Sequence, residues 1–114
     1  MIKESNTRAQ PTLALVHHSL TNKGDRSYNE DAYCHVRDQH VVSFAVADGM
    51  GGAAGGLQAS HLAMQAVRAA ALTLEPEQFC QQLMAMSQLI KTEQLSNPEL
   101  SRMSTTVAEL RIDT

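Results

Sequence analysis

The stretch FAVADGMGGAAGG, residues 44–56, holds five of the six glycines in the chain, all directly behind one aspartate, Asp48. Glycine at this density lets backbone come close to a charged group. Two such groups suit the pattern. One is a phosphate cradled by N–H groups; the other is a metal ion held by the aspartate. The two belong to different architectures, so the flanking sequence has to decide between them.

Upstream, VVSFAVA (residues 41–47) is β-branched and aromatic, which predicts a strand buried on both faces. Residues 38–40 make a tight polar connection back to a second short strand at 32–37. The close spacing favours an antiparallel hairpin. Before it, TNKGDRSYNED (residues 21–31) is a polar loop that ends an earlier β-type run, LALVHHSL, at 13–20.

Downstream the period lengthens. Leu57, Met64, Val67 and Leu72, with alanines between them, predict a helix of small side chains able to pack closely. Glu75, Pro76 and Glu77 start a second helix, since proline suits the first turn and carboxylates there oppose the helix dipole. Its stripe is Phe79, Leu83, Met86, Leu89 and Ile90, with the methionines as core filler, and it breaks at Asn97–Pro98. STTVAELRI (residues 104–112) closes the order as a strand.

The 114 residues suffice for one modest domain, with residues 1–11 a polar, flexible arm and 12–114 the folded part. Hydrophobic residues at 43%, charged residues at 18% and a net charge of −3 describe a globular chain with no basic footprint for nucleic acid. No apolar run reaches the ~18–20 residues of a membrane span, and no secretory signal opens the chain. Cys34 and Cys80 show no CxxC spacing, which favours free thiols in a reducing cytoplasm. The five histidines form no ligand motif and read as ordinary strand, loop or helix residues.

Gly49-x-Gly51-x-x-Ala54 fits the loose dinucleotide fingerprint between a strand and a helix. Three features oppose it. Asp48 sets a negative charge where a pyrophosphate would sit, the helix leads into another helix, and the strand before it belongs to a hairpin. A hard divalent cation fits better, because such ions take carboxylate and carbonyl oxygens. Asp48 offers a carboxylate, and Gly49, lacking Cβ, can turn its carbonyl to the same ion. A second acidic pair, Glu30 and Asp31, opens the neighbouring hairpin strand. Strand alternation lets one of the two face Asp48. Glu30 is expected there, with Asp31 behind it as a structural partner. Arg26, four residues earlier, supplies a planar fork that grips phosphate. Carboxylates plus a phosphate clamp suit phosphoester hydrolysis, where two ions about 3.5–4 Å apart activate a water. The plain alternative, that Arg26, Glu30 and Asp31 are solvated loop charges, stays open on residues alone.

The two motifs GDRSYNEDAY (residues 24–33) and VADGMGG (residues 46–52), with the hairpin between them and the later STTVAEL strand, closely resemble the start of the metal-dependent protein phosphatases. This is the protein phosphatase 2C family, in its bacterial form. The resemblance covers residues 13–112. It implies an α+β fold, a mainly antiparallel β-sandwich flanked by helices, of which this chain carries the first half in the order β-β-β-α-α-β. It also implies a hydrolase of phosphoserine and phosphothreonine in proteins using two manganese or magnesium ions, with phosphoprotein substrates and an opposing serine/threonine kinase. On that resemblance Arg26 binds phosphate, Glu30 and the Gly49 carbonyl bind one ion, Asp48 bridges both, and Asp31 supports the cluster.

The chain also departs from the family. Ala53 and Leu57 stand where members commonly carry His and Glu, and Met50 where many eukaryotic relatives have His. The family's domain is roughly twice as long, and its later aspartate motifs have no counterpart in residues 75–114. The expectation is therefore an incomplete domain, weakly active or inactive alone. The alternative is a non-catalytic binding module that forms a homodimer through an exposed strand edge.

Overall fold

β-branched and aromatic residues draw the centre of the chain into a sheet, and the small residues after the glycine loop let a helix lie against it. The computed structural model describes residues 14–52 and 55–114. The N-terminal arm, Thr12, Leu13, Ala53 and Ala54 lie outside the described residues. Strand β1 is Asp31–Arg37, β2 is Val41–Met50 and β3 is Ser104–Asp113, joined in one antiparallel sheet of order β1-β2-β3. Helices α1 (Gly55–Ala69) and α2 (Pro76–Ser96) form a second layer on one face. A short 3₁₀ turn, Pro98–Leu100, leads from α2 into β3.

The β1–β2 turn is built by Asp38, whose Oδ1 accepts the amides of Val41 at 2.8 Å and His40 at 2.9 Å. These bonds favour the charged carboxylate and hold the Asp38 carboxyl below its ordinary value, the Val41 amide contributing most. Helix α2 opens on Pro76 after Glu75 and closes where the Asn97 amide bonds the Glu93 carbonyl, so the expected signals mark both its ends.

The core lies between sheet and helices, where Cys34, Ala45 and Ala47 meet Ala63, Met64, Val67 and Met86. Burial pushes the Cys34 thiol up, with the Arg68 guanidinium opposing and Glu109 adding to the shift. Cys80 is exposed, and both cysteines are free thiols. Ala59 and Ala63 are fully buried in α1, which brings the helix backbone close to the strands. No helix of the described residues is long and apolar enough to cross a membrane.

A polar network that the sequence did not announce joins sheet to helices. Arg111 and Glu109 form an ion pair at 2.8 Å with both side chains only 3% exposed. Ser43 donates to the same Glu109 oxygen at 2.6 Å. Arg111 also bonds the Ala71 and Thr73 carbonyls and Gln82 Oε1, and its guanidinium lies 4.5 Å from the Phe79 ring centre. Every donor direction named here ends on an oxygen, which is what makes a buried cation tolerable.

Three expectations change. Residues 14–20 form no strand; they run as coil near the uncovered sheet face, where the His17 ring packs edge-on against His35 and Phe44. An apolar run becomes a strand only with a backbone ladder beside it, and here it meets side chains. β2 is not buried on both faces along its length: Val41, Val42 and Ser43 are buried, then alternation sets in. On the face away from the helices Tyr33, Val46 and Leu110 are 42%, 58% and 59% exposed, because one sheet, not two, is formed among the described residues. Of the α2 stripe only Met86 is buried.

Candidate active site

The end of the sheet opposite the Asp38 turn carries the acidic residues. The register sets Asp31 across from Asp48, and Asp48 across from Thr106 of β3. The Gly49 amide donates to the Glu30 carbonyl at 3.0 Å. The N–H and C=O of one strand residue point to the same side, so the Gly49 carbonyl also faces the β1 edge.

Glycine is required at this corner for space. A Cβ on Gly49 would enter the Gly56 backbone and approach the Glu30 carbonyl; a Cβ on Gly56 would enter the Glu30 carboxylate and the Gly49–Met50 peptide. The strand end and the first turn of α1 therefore touch through two residues without side chains. Glu30 Oε2 is buried in this contact and has no hydrogen-bond partner among the described residues. Its other oxygen lies 3.8 Å from Arg26 Nη1, the Glu30 side chain being 19% exposed and that of Arg26 79%. A carboxylate beside the first turn of a helix is favoured by the helix dipole, which offsets part of its desolvation.

The loop carrying Arg26 is tightly organised. Gly24 takes the left-handed conformation, φ +62°, while its amide bonds Asn22 Oδ1 at 2.7 Å. The Arg26 amide bonds the Lys23 carbonyl at 3.2 Å, and Lys23 Nζ returns to the Arg26 carbonyl at 3.1 Å. Asn29 links Thr21 to the Asp31 amide. Together these residues frame a cleft of about 280 Å³ lined by Lys23, Arg26, Glu30, Asp31, Asp48 and Gly49, with Asn22, Tyr28 and Asn29 completing it.

All five residues singled out in the sequence thus reach one cleft, but not in the expected arrangement. Asp31, not Glu30, is directly across from Asp48, because β1 begins at Asp31 and Glu30 pairs with Gly49 instead. Among the described residues no three His, Cys, Asp or Glu side chains gather closely enough to hold a metal ion. The oxygen donors nevertheless have the hard-ligand chemistry of a magnesium or manganese site, and one buried Glu30 oxygen has no partner among the described residues. Sequence reasoning missed Asn29, Asn22 and Lys23. The signal was there for the two asparagines: each stands two residues before the amide it accepts, the spacing of an Asx turn.

Comparison with known proteins gives one consistent answer. The family model described as protein phosphatase 2C matches residues 21–113. Among solved structures, the Mycobacterium tuberculosis serine/threonine phosphatase PstP/Ppp is similar at 26% identity and a TM-score of 0.63, over 77% of this chain and 37% of that one. The S. agalactiae serine/threonine phosphatase is similar at 26% identity and a TM-score of 0.58, over 83% and 43%. The chain therefore spans about two fifths of the length of these structures. No match was found among curated proteins.

Proposed function

Because the chain belongs to the protein phosphatase 2C family, we propose that it supplies part of the active site of a metal-dependent phosphatase acting on phosphoserine and phosphothreonine in proteins. The observation that carries this reading is the meeting of Arg26, Glu30, Asp31, Asp48 and Gly49 around one cleft, with a buried Glu30 oxygen beside it that has no partner among the described residues. Glu30, Asp48 and the Gly49 carbonyl would hold magnesium or manganese, with Asp31 supporting them. When bound, such ions lower the pKa of a coordinated water and offset charge developing on the phosphoryl oxygens. Arg26, exposed at the rim, would grip and orient the phosphate with its planar fork. The Gly49–Gly56 contact holds the donor oxygens in place, so little reorganisation is needed as charge develops. Phosphoproteins would be the substrates, and a serine/threonine kinase would run the opposing reaction.

In this chain alone the donors make an incomplete set, so weak binding of a single ion and little or no turnover are expected. Manganese titration of the 114-residue chain should therefore give one weak site; two tight sites would contradict the reading. Joined to the remainder of a phosphatase domain, the sequence should support manganese-dependent hydrolysis of p-nitrophenyl phosphate. That activity should be lost on Asp48→Ala, and activity unaffected by the substitution would reject the assignment.

A second reading is a phosphatase-like module that associates with its own copy. It is favoured by the uncovered apolar face at Tyr33, Val46 and Leu110 and by the free edge of β3, which pairs only with β2 among the described residues. Sedimentation at tens of micromolar tests it, a monodisperse monomer counting against it.

A further inference from the structure

Thr21 and Asn29 lie eight positions apart, yet their side chains meet, Asn29 Nδ2 donating to Thr21 Oγ1 at 2.8 Å. The other end of the same amide group accepts the Asp31 backbone N–H at 3.1 Å. A carboxamide carries an acceptor and two donor hydrogens on one plane, so it can make both bonds at once. An aspartate there could accept but not donate, and an alanine could do neither. Two things are fixed by this one side chain. The bond to Thr21 closes the loop that carries Lys23 and Arg26. The bond to Asp31 pins the chain just after Glu30, whose own carbonyl is already held by the Gly49 amide.

We propose that Asn29 is a positioning residue for the cleft: it holds the Arg26 loop and the Glu30–Asp31 pair in one frame against Asp48 and Gly49. Asn29 acts through its neighbours, and its own amide group is spent on Thr21 and Asp31. The role rests on the reading of this cleft as the phosphatase site, and the test separates the two.

The 114-residue chain is followed by NMR in two ways: hydrogen exchange of the Asp31 amide, and broadening of the Asp48 and Gly49 amide signals by added Mn²⁺. Asn29→Ala should speed Asp31 exchange about fivefold, the equivalent of one net hydrogen bond, and raise the Mn²⁺ concentration for half-broadening by about threefold or more, with the melting midpoint lowered only by the few degrees that one hydrogen bond carries. Asn29→Asp should keep the Asp31 amide protected and the Thr21 link as well, the Thr21 hydroxyl now donating to the carboxylate, whereas Thr21→Val should lose that link alone. Thr21→Val should need more Mn²⁺ than the wild-type chain but less than Asn29→Ala. Asp31 exchange unaltered in Asn29→Ala overturns the proposal, as does altered exchange with an unaltered Mn²⁺ response. If the wild-type chain shows no Mn²⁺ response at Asp48 and Gly49, the reading of the cleft fails and the positioning role falls with it; the exchange data alone then show whether the clasp exists.

Discussion

Glu109 and Glu30 are both largely withdrawn from water on the same small sheet, and they live in opposite circumstances. Glu109, across from Ala45 in the middle of the sheet, accepts from Ser43 and Arg111, and Arg111 spends its remaining donors on Ala71, Thr73 and Gln82. Glu30, at the sheet's end, has one oxygen buried without a partner among the described residues and the other 3.8 Å from a largely exposed guanidinium. Burying a carboxylate without compensation costs several kcal/mol, roughly, so folding alone gives no reason to keep Glu30 in that state. The first carboxylate completes a structure. The second holds an acceptor in reserve.

The comparison breaks most visibly at Arg111. Arg111→Ala leaves the Glu109 charge buried and unpaired and should lower unfolding stability by about 3–5 kcal/mol in urea titration. Replacing both partners together, Arg111→Met with Glu109→Leu, should recover much of that. A loss under about 1 kcal/mol for Arg111→Ala would show that the network is not closed as described.

Gly56→Ala comes next. The added methyl group has to displace the Glu30 carboxylate and the Gly49–Met50 peptide, and overpacking of this kind costs about 1–3 kcal/mol or more. Gly24→Ala meets open space and carries only the left-handed backbone penalty of about 1–2 kcal/mol, so a denaturation series ranking Gly24 above Gly56 would contradict the close contact.

Glu30→Gln sharpens the contrast from the other side. Removing a largely buried charge whose ion pair is a long contact with an exposed guanidinium should leave stability unchanged or raise it by up to about 1 kcal/mol. The same substitution should weaken Mn²⁺ binding, measured by calorimetry; stability falling as far as in Arg111→Ala would make Glu30 a structural residue.

The smallest effect belongs to Asp38, a third carboxylate, exposed but satisfied by two amides. Its folded pKa lies below the ordinary 3.8, so its contribution to stability is full above that value and is lost as pH falls through the lower folded value. Asp38→Asn should flatten the acid limb of a stability-versus-pH curve and lower the neutral plateau slightly, by the charge's own small contribution, since an asparagine oxygen still accepts both amides.

The hairpin, both helices and the last strand were legible because each has a local signature: β-branching in 41–47, Pro76 at a helix start, Pro98 after a helix end, alternation in β3. The run at 13–20 gives no strand over its described residues, 14–20, since strand formation depends on a neighbouring backbone that local composition does not reveal. At the site, residue types and spacing pointed to Arg26, Glu30, Asp31, Asp48 and Gly49. The register did not follow, because it turns on β1 starting one residue after Glu30. The Arg111–Glu109 pair was invisible for a related reason: an i, i+2 charge pair on a strand reads as surface until the helix covering it is known.

The chain has no tryptophan and two tyrosines, and they sit in different places. Tyr28 lines the acidic cleft, and Tyr33 stands on the sheet face that the helices leave open. Intrinsic emission is therefore a two-channel signal with no brighter chromophore to mask it. Replacing either ring by phenylalanine leaves a single optical probe, one watching the cleft and the other watching whatever comes to lie on the open sheet.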